Sequence, residues 1–169
     1  MNTTFSTDST VNTTPLKIDS ALSAQVQVVG DSLRAKGWSV SCAESCTGGG
    51  IAFAFTSVSG SSDWFNQSWI TYSNDAKKRT LGVSEQTLQE FGAVSKQTVK
   101  EMAEGVRRNS GAQLVVTVSG IAGPGGGSEE KPVGTVWFGF MCGAMSEQIK
   151  QVFSGDRDEV RQHAIAFAM

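Results

Sequence analysis

The stretch that decides the fold reads VSCAESCTGGG at residues 40–50. Apolar residues at alternate positions from Trp38 to Cys42 are typical of a β-strand. The run stops at Glu44, passes through three glycines, and is followed by the apolar segment 51–55, which we expect to be helical. A strand that turns through glycines into a helix indicates an α/β protein, in which ligands bind where strands end and helices begin.

Ser45 stands at this turn and has two interpretations. As a helix cap, its hydroxyl accepts a hydrogen bond from a backbone N–H of the first turn. As a nucleophile, it attacks an electrophilic centre once a base removes its proton. The glycines that follow, Gly48 to Gly50, let backbone amides approach a phosphate or a carboxylate closely. The turn alone leaves both interpretations open.

The composition is that of an ordinary globular domain. The chain has 169 residues, a hydrophobic fraction of 39% and a net charge of -2, which argues against a nucleic-acid partner or a membrane surface bound by bulk electrostatics. No segment approaches the roughly 20 apolar residues that span a bilayer. The N-terminus has no signal-peptide pattern. We therefore expect a cytoplasmic protein with neither nucleic acid nor membrane as a partner.

Hydrophobic periodicity divides the chain into a leader and one domain. Residues 1–15 are rich in Ser, Thr and Asn and predict a disordered leader, whereas residues 16–169 predict a single folded domain. The predicted helices begin near Leu22, Gly50, Ser73, Ser84, Ser95 and Glu159, and the predicted strands cover 38–43, 64–72, 114–118, 135–141 and 147–153. This alternation predicts an α/β fold, a three-layer α/β/α sandwich with a mixed, largely parallel sheet.

Four loops that follow predicted strands carry polar or glycine-rich sequence. They cover residues 44–50, 72–78, 119–128 and 154–158. In a mainly parallel sheet, such loops meet at one edge. None contains a dinucleotide-binding, Walker-type or Gly-x-Ser-x-Gly motif.

A nucleophilic Ser45 needs a base, and the single histidine, His163, falls in the pattern of the terminal helix. Histidine-based mechanisms therefore have no obvious base. Lys77 and its neighbour Lys78, with Tyr72, are the remaining candidates, because desolvation brings the pKa of a lysine towards neutrality. The alternatives are a solvated basic helix face for the lysines and an ordinary strand-edge aromatic for Tyr72.

The cysteines Cys42, Cys46 and Cys142 are odd in number and lack the spacing of a disulfide framework. We expect them to be reduced and structural. A zinc site that adds His163 is the alternative, but the chain has no Cys-x-x-Cys pair. We expect no metal and no cofactor.

Six segments together resemble the CinA C-terminal domain family. They read AESCTGG at 43–49, TYSNDAK at 71–77, GAVS at 92–95, SGIAGP at 119–124, GGSEEKPVGTV at 126–136 and FSGDR at 153–157. The similarity spans about residues 22–169 in order and spacing, and the leader lies outside it.

The resemblance implies an amidase. Stand-alone members of the family hydrolyse the carboxamide of nicotinamide mononucleotide to nicotinate mononucleotide and ammonia, in pyridine-nucleotide salvage. By the same resemblance, Ser45 is the nucleophile, Lys77 its base, Tyr72 a proton-relay or positioning group, and Arg157 a functional residue near the substrate. We also expect a homo-oligomer.

Substrate-binding residues are expected in both glycine turns. Backbone N–H groups of the first turn would form the oxyanion hole, and either the second turn or Arg157 would bind the nucleotide phosphate. The residues concerned are Thr47, Gly48, Gly49, Ser119, Gly120, Ile121, Ala122 and Gly123.

Two other functions remain open from the sequence. CinA-type domains also occur fused to other domains, so the chain fits a non-catalytic nucleotide-binding or regulatory module. A metal-dependent nucleotide hydrolase is the other alternative, since acidic residues such as Glu129 and Asp158 stand in the loops, although they show no ligand pattern.

Overall fold

The computed structural model describes residues 17–169, and the predicted leader at 1–15 lies outside the described residues. The elements are α1 (Ser20–Lys36), β1 (Val40–Glu44), α2 (Gly50–Thr56), a 3₁₀ turn (Ser61–Asp63), β2 (Phe65–Ile70), α3 (Asn74–Leu81), α4 (Glu85–Phe91), α5 (Lys96–Ser110), β3 (Leu114–Gly120), β4 (Thr135–Cys142), β5 (Met145–Val152) and α6 (Arg157–Ala168). Each predicted helix and strand is present, with small shifts at the ends.

The helix ends follow from local chemistry. The side chains of Ser73, Ser84 and Ser95 each accept a hydrogen bond from the backbone N–H three residues on, which caps α3, α4 and α5. Gly37 ends α1 in a left-handed conformation, with φ of 62°. The three serines stand where the sequence predicts these helices to begin.

The sheet is mixed, with the strand order β2-β1-β3-β4-β5. β1 pairs in parallel with β2 and with β3, whereas β4 is antiparallel to both β3 and β5. Four strands therefore run in one direction and only β4 runs in the other. As a result, the carboxyl ends of β1, β2, β3 and β5 lie at the same edge of the sheet as the amino end of β4.

Helices cover both faces, so the three-layer prediction is confirmed. On one face, α1, α2 and α6 enclose a core that contains Val26, Phe55 and Val160. On the other face, α3, α4 and α5 enclose a second core around Leu81 and Met102. Apolar residues that are adjacent along β3 contribute to opposite cores, which explains why this strand reads as a continuous apolar run.

Gly50 lets α6 lie directly against the start of α2. A Cβ atom at Gly50 would stand 2.3 Å from Cδ1 of Ile165 in α6. This close packing places Arg157, the first residue of α6, at the sheet edge where the strands end. Among residues 17–169, no helix combines the length and the apolar character that crossing a membrane requires.

Candidate active site

Ser45 and Lys77 meet at the carboxyl ends of two neighbouring parallel strands. Ser45 follows β1 directly, and Lys77 projects from α3, which follows β2. The Nζ atom of Lys77 lies 3.1 Å from Oγ of Ser45 and donates a hydrogen bond to the backbone carbonyl of Thr71 at 2.8 Å. A lysine nitrogen is therefore held within hydrogen-bond reach of a serine hydroxyl.

Lys77 is almost completely buried, with 1% of its surface exposed. Burial disfavours the ammonium form and lowers the pKa of Lys77 from 10.5 to about 8. Its neighbours differ, because Lys78 pairs with Glu85 and Arg79 pairs with Asp75 at the surface. Of the three basic residues in this helix, only Lys77 turns inward.

A cavity of about 230 Å³ opens onto this pair. Its lining comes from all four loops that the sequence singled out and from the α4–α5 connection. The lining residues are Ser45, Cys46, Tyr72, Asn74, Lys77, Ala93, Val94, Ser119, Gly120, Ala122 and Arg157. The structure thus brings the four predicted catalytic residues to the wall of a single cavity.

Arg157 connects this cavity to a second one. Its guanidinium donates to the Tyr72 hydroxyl at 3.0 Å and to the backbone carbonyl of Gly123 at 2.7 Å. The adjoining cavity, of about 400 Å³, shares Ala122 and Arg157 with the first and is also lined by Pro124. Within residues 17–169, the Tyr72 hydroxyl makes no hydrogen bond to Ser45 or Lys77.

The first glycine turn is closed around a buried carboxylate. Glu44 is fully buried and accepts hydrogen bonds from the Thr47 hydroxyl and from the N–H groups of Gly49, Ile51 and Ala52. The amides at the start of α2 are therefore bonded to the protein itself, and the expected oxyanion hole cannot be formed by these three.

Three predicted substrate-binding residues are consequently absent from the lining of the cavity that contains Ser45. Gly48 and Gly49 line a separate cavity of about 500 Å³ beside α6, and Thr47 is fully buried. The carbonyl of Thr47 accepts a hydrogen bond from Arg161 at 3.1 Å. Ser45 of the first turn thus lines the cavity with Lys77, whereas Gly48 and Gly49 line a different one.

The second glycine turn contributes most of its predicted substrate-binding residues to the two cavities. Ser119, Gly120 and Ala122 line the cavity with Ser45, and Gly123 lines the adjoining cavity. Ile121 lines neither, because its backbone N–H and carbonyl bond to the start of β4 and fix the base of the loop.

Cys46 and Asn74 also line the cavity, although no role at the site is predicted for either residue from the sequence. Both stand inside the segments that carry the family resemblance, one residue after Ser45 and three before Lys77. Burial raises the pKa of the Cys46 thiol to about 11, so the thiol is neutral near pH 7. Cys46 is therefore a poor nucleophile in this site.

Within the described residues, no three His, Cys, Asp or Glu side chains lie close enough together to hold a metal ion. The cysteines and the histidine that the zinc alternative requires therefore do not form a cluster. Cys42, Cys46 and Cys142 are all free thiols, and the His163 ring packs 5.8 Å from that of Phe153.

Comparison with known proteins identifies the family. The profile of the CinA C-terminal domain matches residues 22–169, which is most of the chain. The chain belongs to the CinA C-terminal domain family.

The curated relatives of this CinA domain include stand-alone amidohydrolases. It is 59% identical to nicotinamide-nucleotide amidohydrolase PncC of Enterobacter agglomerans, over 83% of this chain and 87% of that one. It is 52% identical to the protein of the same name from Escherichia coli K12, over 89% of this chain and 92% of that one. A CinA-like protein of Petrotoga mobilis is 51% identical, but there the match covers only 32% of the relative.

Solved structures show the same fold. The competence/damage inducible protein CihA of Agrobacterium tumefaciens superposes with a TM-score of 0.88 at 39% identity, over 91% of this chain and 94% of that one. The competence damage-inducible protein A of Klebsiella pneumoniae gives a TM-score of 0.84 at 35% identity, over 87% of this CinA domain and 91% of that chain.

Proposed function

We propose that this CinA domain hydrolyses the carboxamide of nicotinamide mononucleotide to nicotinate mononucleotide and ammonia by a Ser/Lys mechanism. The observation that carries the proposal is the buried Lys77 Nζ, 3.1 Å from Ser45 Oγ and with a pKa of about 8. The names of the stand-alone relatives support the substrate.

The first half of the reaction forms an ester on Ser45. Neutral Lys77 accepts the proton of the Ser45 hydroxyl while Oγ attacks the carboxamide carbon, so that a new C–O bond forms and the carbonyl electrons move to oxygen. The tetrahedral intermediate collapses, the C–N bond breaks, and the leaving nitrogen takes the proton from the Lys77 ammonium. Ammonia departs and Lys77 is neutral again.

The second half releases the acid. A water molecule gives a proton to Lys77 as its oxygen attacks the ester carbon, and the Ser45 oxygen recovers that proton when the C–O bond breaks. The acid formed in this way loses its remaining proton to solvent and leaves as a carboxylate, and the enzyme returns to its starting state. The carbonyl of Thr71 accepts a hydrogen bond from Lys77 throughout, which keeps the amine lone pair directed at Ser45.

Two adjoining cavities are available for the two ends of the substrate. We propose that the nicotinamide ring enters the 230 Å³ cavity beside Ser45 and that the phosphate lies near Arg157 in the adjoining one. Arg157 provides the charge-assisted hydrogen bonds that a phosphate requires. Tyr72 positions this guanidinium through its hydroxyl. Ser119, Gly120, Ala122 and Gly123 line the walls of the two cavities.

The test measures ammonia release from nicotinamide mononucleotide by the purified protein. Ser45→Ala and Lys77→Ala should each lower turnover by at least about 10³-fold, because they remove the nucleophile and its base. Lys78→Ala is the matched control, since the side chain next in sequence points to the surface and pairs with Glu85. Wild-type rates in both site variants would refute the Ser/Lys assignment.

The same assay separates the alternatives. Binding of nicotinamide mononucleotide without ammonia release would favour a nucleotide-binding or regulatory module. Activity that disappears only after chelation would favour a metal-dependent hydrolase.

We further propose that the enzyme acts in pyridine-nucleotide salvage in the cytoplasm and that it functions as a homo-oligomer. A second copy would cover the exposed side chains of Ile70 and Tyr72, which are 57% and 60% exposed beside the site. Light scattering on the purified chain measures the mass directly, and a monomer would contradict this assignment.

A further inference from the structure

The carboxylate of Glu44 is the most completely bonded buried charge in the described part of the chain, yet the proposed reaction does not use it. It accepts hydrogen bonds from Thr47 Oγ1 at 2.6 Å, Gly49 N at 3.1 Å, Ile51 N at 3.0 Å and Ala52 N at 2.8 Å. A charge without solvent is stable only when paired or fully hydrogen-bonded, and here the amino end of α2 supplies the compensation.

This bonding decides which amides remain for a substrate. The N–H groups of Ser45, Gly48 and Gly50 bond to backbone carbonyls. Among residues 17–169, the N–H groups of Cys46 and Thr47 have no acceptor on another residue. Thr47 is fully buried, whereas Cys46 lines the cavity with Ser45. Cys46 therefore lines the cavity and carries an amide of this turn whose only contact is with its own Sγ.

The position of this amide fits an oxyanion donor. In α/β-hydrolases, which also place the serine between a strand and a helix, the N–H of the residue after the nucleophile stabilises the negative charge that develops on oxygen. We infer that Glu44 is a positioning residue that holds Ser45 and the Cys46 N–H in the geometry of attack, so that this N–H stabilises the oxyanion. The inference deepens the proposed function and rests on it.

Glu44 acts from both ends of the turn at once. Its backbone directly precedes Ser45, and its side chain bonds to amides at the start of α2. The residues between β1 and α2 are therefore fixed at both ends. The same contacts occupy the positive end of α2, which leaves no site there for the substrate phosphate. Chemistry and phosphate binding are thereby assigned to different loops.

The test is Glu44→Gln, with kcat and KM measured separately. One carboxylate oxygen becomes an NH₂ group that faces a backbone N–H or the Thr47 hydroxyl, so the ring of hydrogen bonds loses an acceptor. We expect kcat to fall about 10²-fold, as for a misplaced oxyanion donor, while KM changes less than about threefold. The inflection in the pH profile near 8 should remain, because Lys77 keeps its surroundings.

Glu101→Gln is the matched control. The carboxylate of Glu101 also bonds to a backbone N–H and a threonine hydroxyl at a helix start, those of Ser84 and Thr87, but it lies outside the cavity. The Glu101→Gln substitution should lower the melting temperature and leave kcat unchanged. Equal kcat values for Glu44→Gln, Glu101→Gln and the wild type, in folded proteins, would overturn the inference.

Thr47→Val provides a second variant if Glu44→Gln does not fold. It removes a single donor to Glu44 and keeps the contacts at α2, so we expect a kcat loss of about 3–10-fold with KM unchanged. An unchanged kcat would count against the inference.

Labelling of Ser45 by a fluorophosphonate separates this inference from the proposed substrate. The reagent needs the nucleophile and the oxyanion donor but no nicotinamide mononucleotide. If the wild type is labelled yet releases no ammonia, the proposed reaction fails, and slower labelling of Glu44→Gln than of Glu101→Gln still supports the positioning role. Equal labelling rates would remove it.

Discussion

The two glycine-rich turns at the sheet edge look alike in sequence and differ in the structure. The first, residues 44–50, is folded inward around Glu44, and its helix-start amides are bonded to that carboxylate. The second, residues 119–128, faces the cavities on one side and solvent on the other, and Gly125 has no neighbour within 4 Å of a Cβ position. A glycine turn that has bonded its own amides orients a side chain, whereas an open one leaves room for a ligand.

Under the proposed function, the first turn carries the chemistry and the second turn binds the substrate. Lys77→Met tests the chemical role most strongly. We expect kcat to fall by at least about 10³-fold, because no base remains for Ser45. Ammonia release measures the loss. A variant that kept a tenth of the wild-type rate would place the base elsewhere.

The same substitution should stabilise the fold at pH 7. The pKa of Lys77 is about 8 in the folded chain and 10.5 ordinarily, so the folded state binds fewer protons between these values. The free energy of unfolding therefore rises with pH from about 8 to 10.5, and the full cost of burying Lys77 applies below pH 8. Lys77→Met should gain about 1–3 kcal/mol at pH 7 and melt several degrees higher. Lys78→Met should melt like the wild type.

Arg157→Ala tests the proposed binding of the substrate phosphate. Loss of the guanidinium beside Gly123 should raise KM for nicotinamide mononucleotide about 10–100-fold, since a charge-assisted phosphate contact is lost. The decisive comparison uses nicotinamide riboside, which lacks the phosphate. The preference of the wild type for the phosphorylated substrate should shrink in the variant, and an unchanged preference would remove Arg157 from phosphate binding.

The pH dependence of the reaction also distinguishes the proposed chemical role from the proposed binding role. In the wild type, kcat/KM should increase about tenfold between pH 7 and pH 9, with an inflection near 8, as Lys77 loses its proton. Arg157→Ala should keep this inflection at a lower overall rate, because the binding end does not contain the base. A flat profile would contradict Lys77 as the titrating group.

The smallest expected effects compare one glycine from each turn. Gly48 and Gly126 both have positive φ, 61° and 88°, and a Cβ at either meets only ordinary contacts at 3.7 Å and 3.6 Å. Gly48→Ala and Gly126→Ala should each cost about 1 kcal/mol through the backbone. Only Gly48→Ala should lower kcat, by a few-fold, because it strains the turn that holds Ser45. Matching kcat values would erase the distinction between the turns.

Much of the fold follows from local sequence because its signals are local. Serine caps at Ser73, Ser84 and Ser95 and apolar runs such as 114–118 fix the elements without reference to the rest of the chain. The order of strands in the sheet depends on which faces pack together. It was therefore not predictable beyond a mixed, largely parallel arrangement.

At the site, the inward position of Lys77 could not be predicted from its local sequence alone. Lys77, Lys78 and Arg79 form a basic run, and a solvated helix face describes Lys78 and Arg79 correctly. Lys77 differs because its position in α3 faces Ser45 across the sheet edge, which the family resemblance indicated and the run alone did not. The buried hydrogen bonds of Glu44 could not be predicted either. Its partners at the start of α2 become neighbours only when β1 and α2 pack together.

The antiparallel strand β4 has a consequence for how the site can change over time. Because β4 returns beside β3, the second glycine loop is the connection of a hairpin, closed at its base by hydrogen bonds of Ile121 with Thr135 and Gly134. Doubling the length of such a loop costs only about 0.6 kcal/mol in closure entropy. Insertions between residues 124 and 132 therefore alter this loop while Ser45, which follows β1, and Lys77, which lies in α3, keep their distance.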